Sequence, residues 1–136
     1  MFNLNDKLSK NTANSLSPIT LAFVGDAVYT LFVREKIVFH SDLKGAELNK
    51  RTSLEVKATA QAKFIDKIMP LLSEEEVAIF KRARNAKKNT RAKSATVCEY
   101  NKSTGFEALV GYLYLIGETD RLNYLLNYGE NDEDNR

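Results

Sequence analysis

Apolar residues recur along this chain at helical spacing, and no alternating run of useful length suggests a strand. Ser17-Pro18 opens the longest apolar stretch, with Ser17 as N-cap and Pro18 at the first helical position. That helix is predicted to run to about Lys36. A helical region follows from about Ala46 to Leu72, with one break near Thr59. Ser73-Glu74-Glu75-Glu76 forms a capping box that opens a helix to about Ala83. Residues 85–102 are polar and read as irregular. A helix from near Thr104 ends at Gly117, and Thr119-Asp120 caps a last one to about Tyr128, with Gly129 at its C-terminal end. The pattern predicts an all-α chain. Residues 1–15 read as a flexible N-terminus, 16–129 as one domain and 130–136 as a disordered acidic tail.

Composition narrows the picture only slightly. The 136 residues suit a single domain with one core. The one cysteine, Cys98, can form no internal disulfide, which fits a reduced, cytoplasmic setting. The N-terminus lacks the apolar segment of a secretory signal, and the apolar runs are too short to span a bilayer, so no membrane role is expected. Net charge is +2, but the tail holds four of the 18 acids and one of the 20 bases. The remaining body is +5, a weak pointer to an anionic partner.

Two apolar helices each carry one carboxylate that needs explaining. The stretch ITLAFVGDAVYTLFV, residues 19–33, holds Asp26 in mid-helix. Its helical neighbours Ala22, Phe23, Tyr29 and Thr30 include no base, so no local ion pair relieves it. Residue type alone favours a tertiary salt bridge or a wet helix face. Glu107 is the only charge in STGFEALVGYLYLIG, residues 103–117. Spacing alone favours a capping box with Thr104. A different outcome is suggested by Gly25, beside Asp26, and Gly111, one turn after Glu107. Small residues at both places let the two helices cross closely and bring the carboxylates to one point. Two facing oxygen donors suit a Mg²⁺ ion that keeps several waters. The only histidine, His40, lies in an expected loop, so a histidine zinc triad is unavailable.

No acidic residue occurs between Val77 and Val97, and Lys81, Arg82, Arg84, Lys87, Lys88, Arg91 and Lys93 crowd into residues 81–93. Most such runs are solvated helix ends. A basic strap leading into the helix of Glu107 also suits a phosphodiester backbone. It contains no aromatic residue, which argues against stacking on single strands and for a duplex read by backbone and shape. A smaller cluster around Lys50 and Arg51 is either a second phosphate contact or an exposed helix turn.

Together, LAFVGDAVYTLFVR (21–34), AQAKFIDKI (60–68), RARNAK (82–87) and STGFEALVGYLYL (103–115) resemble Mini-ribonuclease III, the compact branch of the ribonuclease III family that lacks a separate double-stranded-RNA-binding domain. The resemblance covers roughly residues 16–128. It implies an all-helical ribonuclease III catalytic domain over residues 16–129, working as a homodimer. It implies Mg²⁺-dependent cleavage of double-stranded RNA, with Mn²⁺ able to substitute, and maturation of 23S ribosomal RNA precursor. Asp26 and Glu107 match the family's essential acids and become the expected catalytic and metal-binding residues. Lys50, Arg51, Arg82, Arg84, Asn85, Lys87, Lys88 and Arg91 become the expected RNA contacts, with Thr104 and Thr30 in support of the acids. Larger family members carry further acids where this chain has Ile19, Ala22 and Thr104. Tyr29, Phe32 and Phe23 are candidates for the dimer face, with core packing as their competing role. A non-catalytic RNA-binding or ribosome-assembly module of the same fold is the alternative.

Overall fold

The structure, a computed structural model, describes residues 6–88 and 95–134. Among the described residues seven helices follow one another: α1 (Lys10–Ser15), α2 (Pro18–His40), α3 (Ala46–Val56), α4 (Ala58–Ile68), α5 (Glu74–Arg84), α6 (Val97–Leu115) and α7 (Thr119–Asp134). A short 3₁₀ turn, Met69–Leu71, follows α4. No strand occurs among the described residues, so the all-α expectation holds.

Several helix ends form by the predicted chemistry. Ser17 Oγ accepts the Ile19 N–H at 3.2 Å, and Pro18 takes the first helical position of α2. Ser73 and Glu76 complete their reciprocal box at the head of α5. Gly117 ends α6 with φ 76°, where the N–H groups of Gly117 and Glu118 fold back to the carbonyls of Tyr114 and Leu113. A side chain would be strained there, so glycine closes the helix.

Other ends differ from the sequence pattern. Residues 10–15 form α1 rather than a loose segment, with Ser9 Oγ capping the Thr12 N–H at 3.1 Å and Ala13 fully buried. α2 runs one turn beyond Lys36, because Ile37 still packs into the core. His40 therefore sits in a helical last turn, not in a loop. The 46–72 region breaks at Lys57, whose extended backbone separates α3 from α4, two residues before Thr59. α7 continues past Gly129 to Asp134, into residues read as a disordered tail; glycine weakens a helix without forbidding it.

The most consequential difference is the start of α6. The spacing Thr-x-x-Glu occurs at 96–99 and again at 104–107. The capping box forms at the first: Thr96 Oγ1 accepts the Glu99 N–H at 3.0 Å, and Glu99 Oε1 accepts the Thr96 N–H at 2.9 Å. Its opening turns, VCEYNKS, carry no apolar stripe to reveal them. Thr104 lies inside the helix, its hydroxyl donating to the Tyr100 carbonyl at 3.1 Å. Glu107 is thus released from capping.

α2 and α6 form the central pair, with α4 and α5 packed on α6, α3 on α2, and α7 against α6 and α4. Leu21, Val33, Ile65, Phe106, Leu109 and Leu122 are buried between them. Phe106 sits edge-on to Tyr29 at 4.9 Å and to Phe64 at 5.6 Å, joining α2, α4 and α6. The crossing of α2 and α6 is set by two glycines. A Cβ on Gly25 would stand 1.7 Å from the Glu107 carbonyl oxygen, and one on Gly111 would stand 2.0 Å from that of Leu21. No side chain fits either place, so the two backbones meet where Asp26 and Glu107 begin.

Candidate active site

The glycine crossing places the carboxyl groups of Asp26, from α2, and Glu107, from α6, within hydrogen-bond reach of each other. Asp26 is exposed, whereas Glu107 lies mostly inside. Burial pushes the Glu107 carboxyl up to about 8, helped by the charge of Asp26 and by the hydrogen bond between them, while the Gln61 amide opposes the rise. The cause is direct: two acids meet in a poorly solvated place where both cannot comfortably be charged. The salt bridge that residue type favoured for Asp26 does not form among the described residues.

The pair stands in a cleft of about 480 Å³. Ile19, Ala22 and Phe23 form its α2 wall, and Tyr100 and Thr104 continue the α6 side above Glu107. Ile19 and Ala22 therefore face the same space as the two acids. Thr104 lines the cleft, though its hydroxyl hydrogen is committed to Tyr100. Thr30 is half-buried one turn beyond Asp26 and is not among the residues lining the cleft.

The predicted RNA contacts divide sharply. Lys87 is exposed and lines the cleft. Lys88 also lines it, but its ammonium donates to the carbonyls of Ala83, Arg84 and Ala86 at 3.0, 3.0 and 2.7 Å, closing the C-terminal end of α5. Burial holds its pKa below the usual lysine range. Arg82 turns away from the cleft's business and donates to the carbonyls of Asn14 and Leu16, tying α5 to the segment ahead of α2. Arg84 donates to Asn85 Oδ1 at 3.1 Å and lies over the Phe80 ring. On α3, Lys50 is exposed and Arg51 pairs with Glu55 at 3.5 Å; neither lines the cleft. Arg91 and Lys93 lie outside the described residues. Of the three aromatic dimer candidates, Tyr29 and Phe32 are core residues, while Phe23 is 79% exposed.

Gln61 escaped the sequence reading. From α4, with only 1% of its surface exposed, its Nε2 donates to Glu107 Oε2 at 3.4 Å. A signal was present: Gln61, Ile65 and Ile68 fall on one helical face, so a polar side chain occupies a core position.

Two hard oxygen donors that face each other in a cleft fit a magnesium-type cation, which would keep waters for its remaining positions. No cluster of three or more histidine, cysteine or acidic residues exists among the described residues, so a zinc-type cage is not offered.

A family model described as the ribonuclease III domain matches residues 19–118. A Mini-ribonuclease 3 from Thermoanaerobacter sp. is 51% identical over 88% of this chain and 84% of its own length. That of Clostridium tetani is 43% identical over 90% of this chain and 82% of its own. A crystal structure of a Fusobacterium nucleatum protein superposes with a TM-score of 0.78 at 34% identity, covering 84% of this chain and 93% of that one. The chain therefore belongs to the ribonuclease III family, in its Mini-ribonuclease 3 branch, and is an endoribonuclease.

Proposed function

We propose that the protein is a Mg²⁺-dependent endonuclease of double-stranded RNA, with Asp26 and Glu107 as its catalytic and metal-binding residues. We further assign it to the maturation of 23S ribosomal RNA precursor, as a cytoplasmic homodimer with one site per RNA strand. The observation that carries the site is the meeting of two carboxyls at the glycine crossing, with no cation paired to either among the described residues, in a cleft that Lys87 borders.

The chain's residues divide the work as follows. Gly25 and Gly111 set the separation of the two acids. Asp26 and Glu107 would together hold a divalent cation, with Mn²⁺ able to replace Mg²⁺. Such a cation, when bound, supplies positive charge against the phosphate and makes a water more acidic. Lys87 attracts the RNA backbone, and Lys88 keeps the end of α5 in place beside the cleft. Water oxygen joins phosphorus and the bond to the 3′-oxygen breaks, leaving a 5′-phosphate and a 3′-hydroxyl. The apolar walls from Ile19, Ala22 and Phe23 raise the strength of charge interactions within the cleft.

The dimer rests on the outer face of α2. Ile19, Phe23 and Val38 are 43%, 79% and 60% exposed and recur with Arg34 along one side of the helix. An apolar row of this kind is suited to a second copy related by two-fold symmetry.

Incubation with duplex RNA and Mg²⁺ tests the activity. Cutting is expected from the unmodified protein, none with chelator, and losses of at least about 10³-fold for Asp26→Asn and Glu107→Gln. Binding without cutting by the unmodified protein contradicts the nuclease reading and favours the non-catalytic module. Full cutting by either variant contradicts the site.

A further inference from the structure

We propose that Gln61 is the positioning residue of the cleavage site: its amide, reaching Glu107 from α4, holds that carboxyl in the orientation in which it faces Asp26. The proposal rests on Asp26 and Glu107 being the cation-holding pair.

Gln61 occupies a place that packing alone would give to a leucine. Its companions on the buried face of α4 are Ala62, Ile65 and Ile68, and its own exposure is 1%. Burying an amide there costs free energy unless it is hydrogen-bonded. Its Nε2–H donates to Glu107 Oε2 at 3.4 Å. The bond is long, and a charged carboxylate would accept it more strongly than a neutral carboxyl would.

Geometry gives the bond a further consequence. Glu107 has three side-chain torsions, and Asp26 stands on only one side of it. With one oxygen tied to α4, the carboxyl plane is fixed and its other edge is turned to the cleft. Ile19 and Ala22, on the α2 side of the cleft, carry no polar side-chain group that could fix it. A neutral donor also holds Glu107 without adding a third negative charge. Groups that orient metal-binding side chains typically matter by 10–100-fold in affinity or activity.

The test uses the full-length chain without RNA and reads Mn²⁺ binding by electron paramagnetic resonance. Gln61→Leu and Gln61→Met are compared with the parent, with Asp26→Asn and Glu107→Gln as controls. The proposal predicts Mn²⁺ affinity weakened about 10-fold or more in both Gln61 variants. Duplex-RNA affinity measured without divalent cations stays within about twofold, kcat falls with KM for RNA unchanged, and the melting temperature is held or raised. Mn²⁺ affinity within about twofold of the parent overturns the role of Gln61, as does weakening accompanied by a collapse of the melting transition in both variants. If the parent shows no saturable Mn²⁺ binding, or the two carboxylate controls bind as the parent does, the carboxylate-pair reading itself falls, and the proposal with it.

Discussion

Glu107 is the residue on which the account turns, and its protonation makes it measurable. Its carboxyl takes up a proton at about 8 in the folded protein against an ordinary value of 4.5. The folded state therefore binds more protons than the unfolded chain between those values. Stability of the metal-free protein falls as pH rises from about 4.5 to about 8, by up to a few kcal/mol. Glu107→Gln removes the charge but keeps the shape, so at pH 8 it should melt several degrees above the parent while cutting no RNA. Thermal melts of both proteins at pH 5 and pH 8 check this; equal melting at pH 8 contradicts a buried, strained carboxyl. Mg²⁺ competes with the same proton, so metal affinity should rise over the same range. In the sequence, Asp26 and Glu107 stood out because each was a lone charge in a greasy helix. Gln61 did not, because an uncharged amide in a helix draws no notice until its face is known to be buried.

The crossing of α2 and α6 turns two isolated residues into a site. Gly25→Ala and Gly111→Ala each place a methyl group 1.7 to 2.0 Å from a backbone oxygen of the other helix. The helices must separate, so each change should cost about 1–3 kcal/mol, a typical price of overpacking. Asp26 moves away from Glu107 with them, and the cleavage rate should fall about 100-fold in whatever fraction stays folded. Denaturant unfolding with single-turnover cleavage measures both effects; unchanged stability would mean that the helices do not touch there. Glycines beside both acids made this crossing legible in the sequence. The start of α6 was not, since the capping box at Thr96 precedes a polar turn, and the second Thr-x-x-Glu at 104–107 matched the apolar pattern better. The basic strap was legible as a charge run, but its division of labour was not. Which cation caps α5, which ties down Asn14 and Leu16, and which faces the cleft depends on tertiary contacts that no spacing encodes.

At the scale of the molecule, the helical pattern was sufficient for the fold class, because described residues without a strand leave few ways to bury two long apolar helices. It did not separate core from exposed face. Tyr29, Phe32 and Phe23 are alike as side chains, and only packing shows the first two inside and Phe23 outside. If the proposed dimer forms through this face, Phe23→Asp should leave the subunit folded and halve the mass seen by analytical ultracentrifugation, with duplex cleavage reduced or confined to one strand. A dimer that persists would move the interface elsewhere. The central claim, that Asp26 and Glu107 together hold the cation that cuts RNA, is tested most directly by anomalous diffraction from crystals soaked in Mn²⁺. One peak contacting both carboxylates is the predicted result. A peak remote from them, or none while the two carboxyls still share their hydrogen bond, would contradict it.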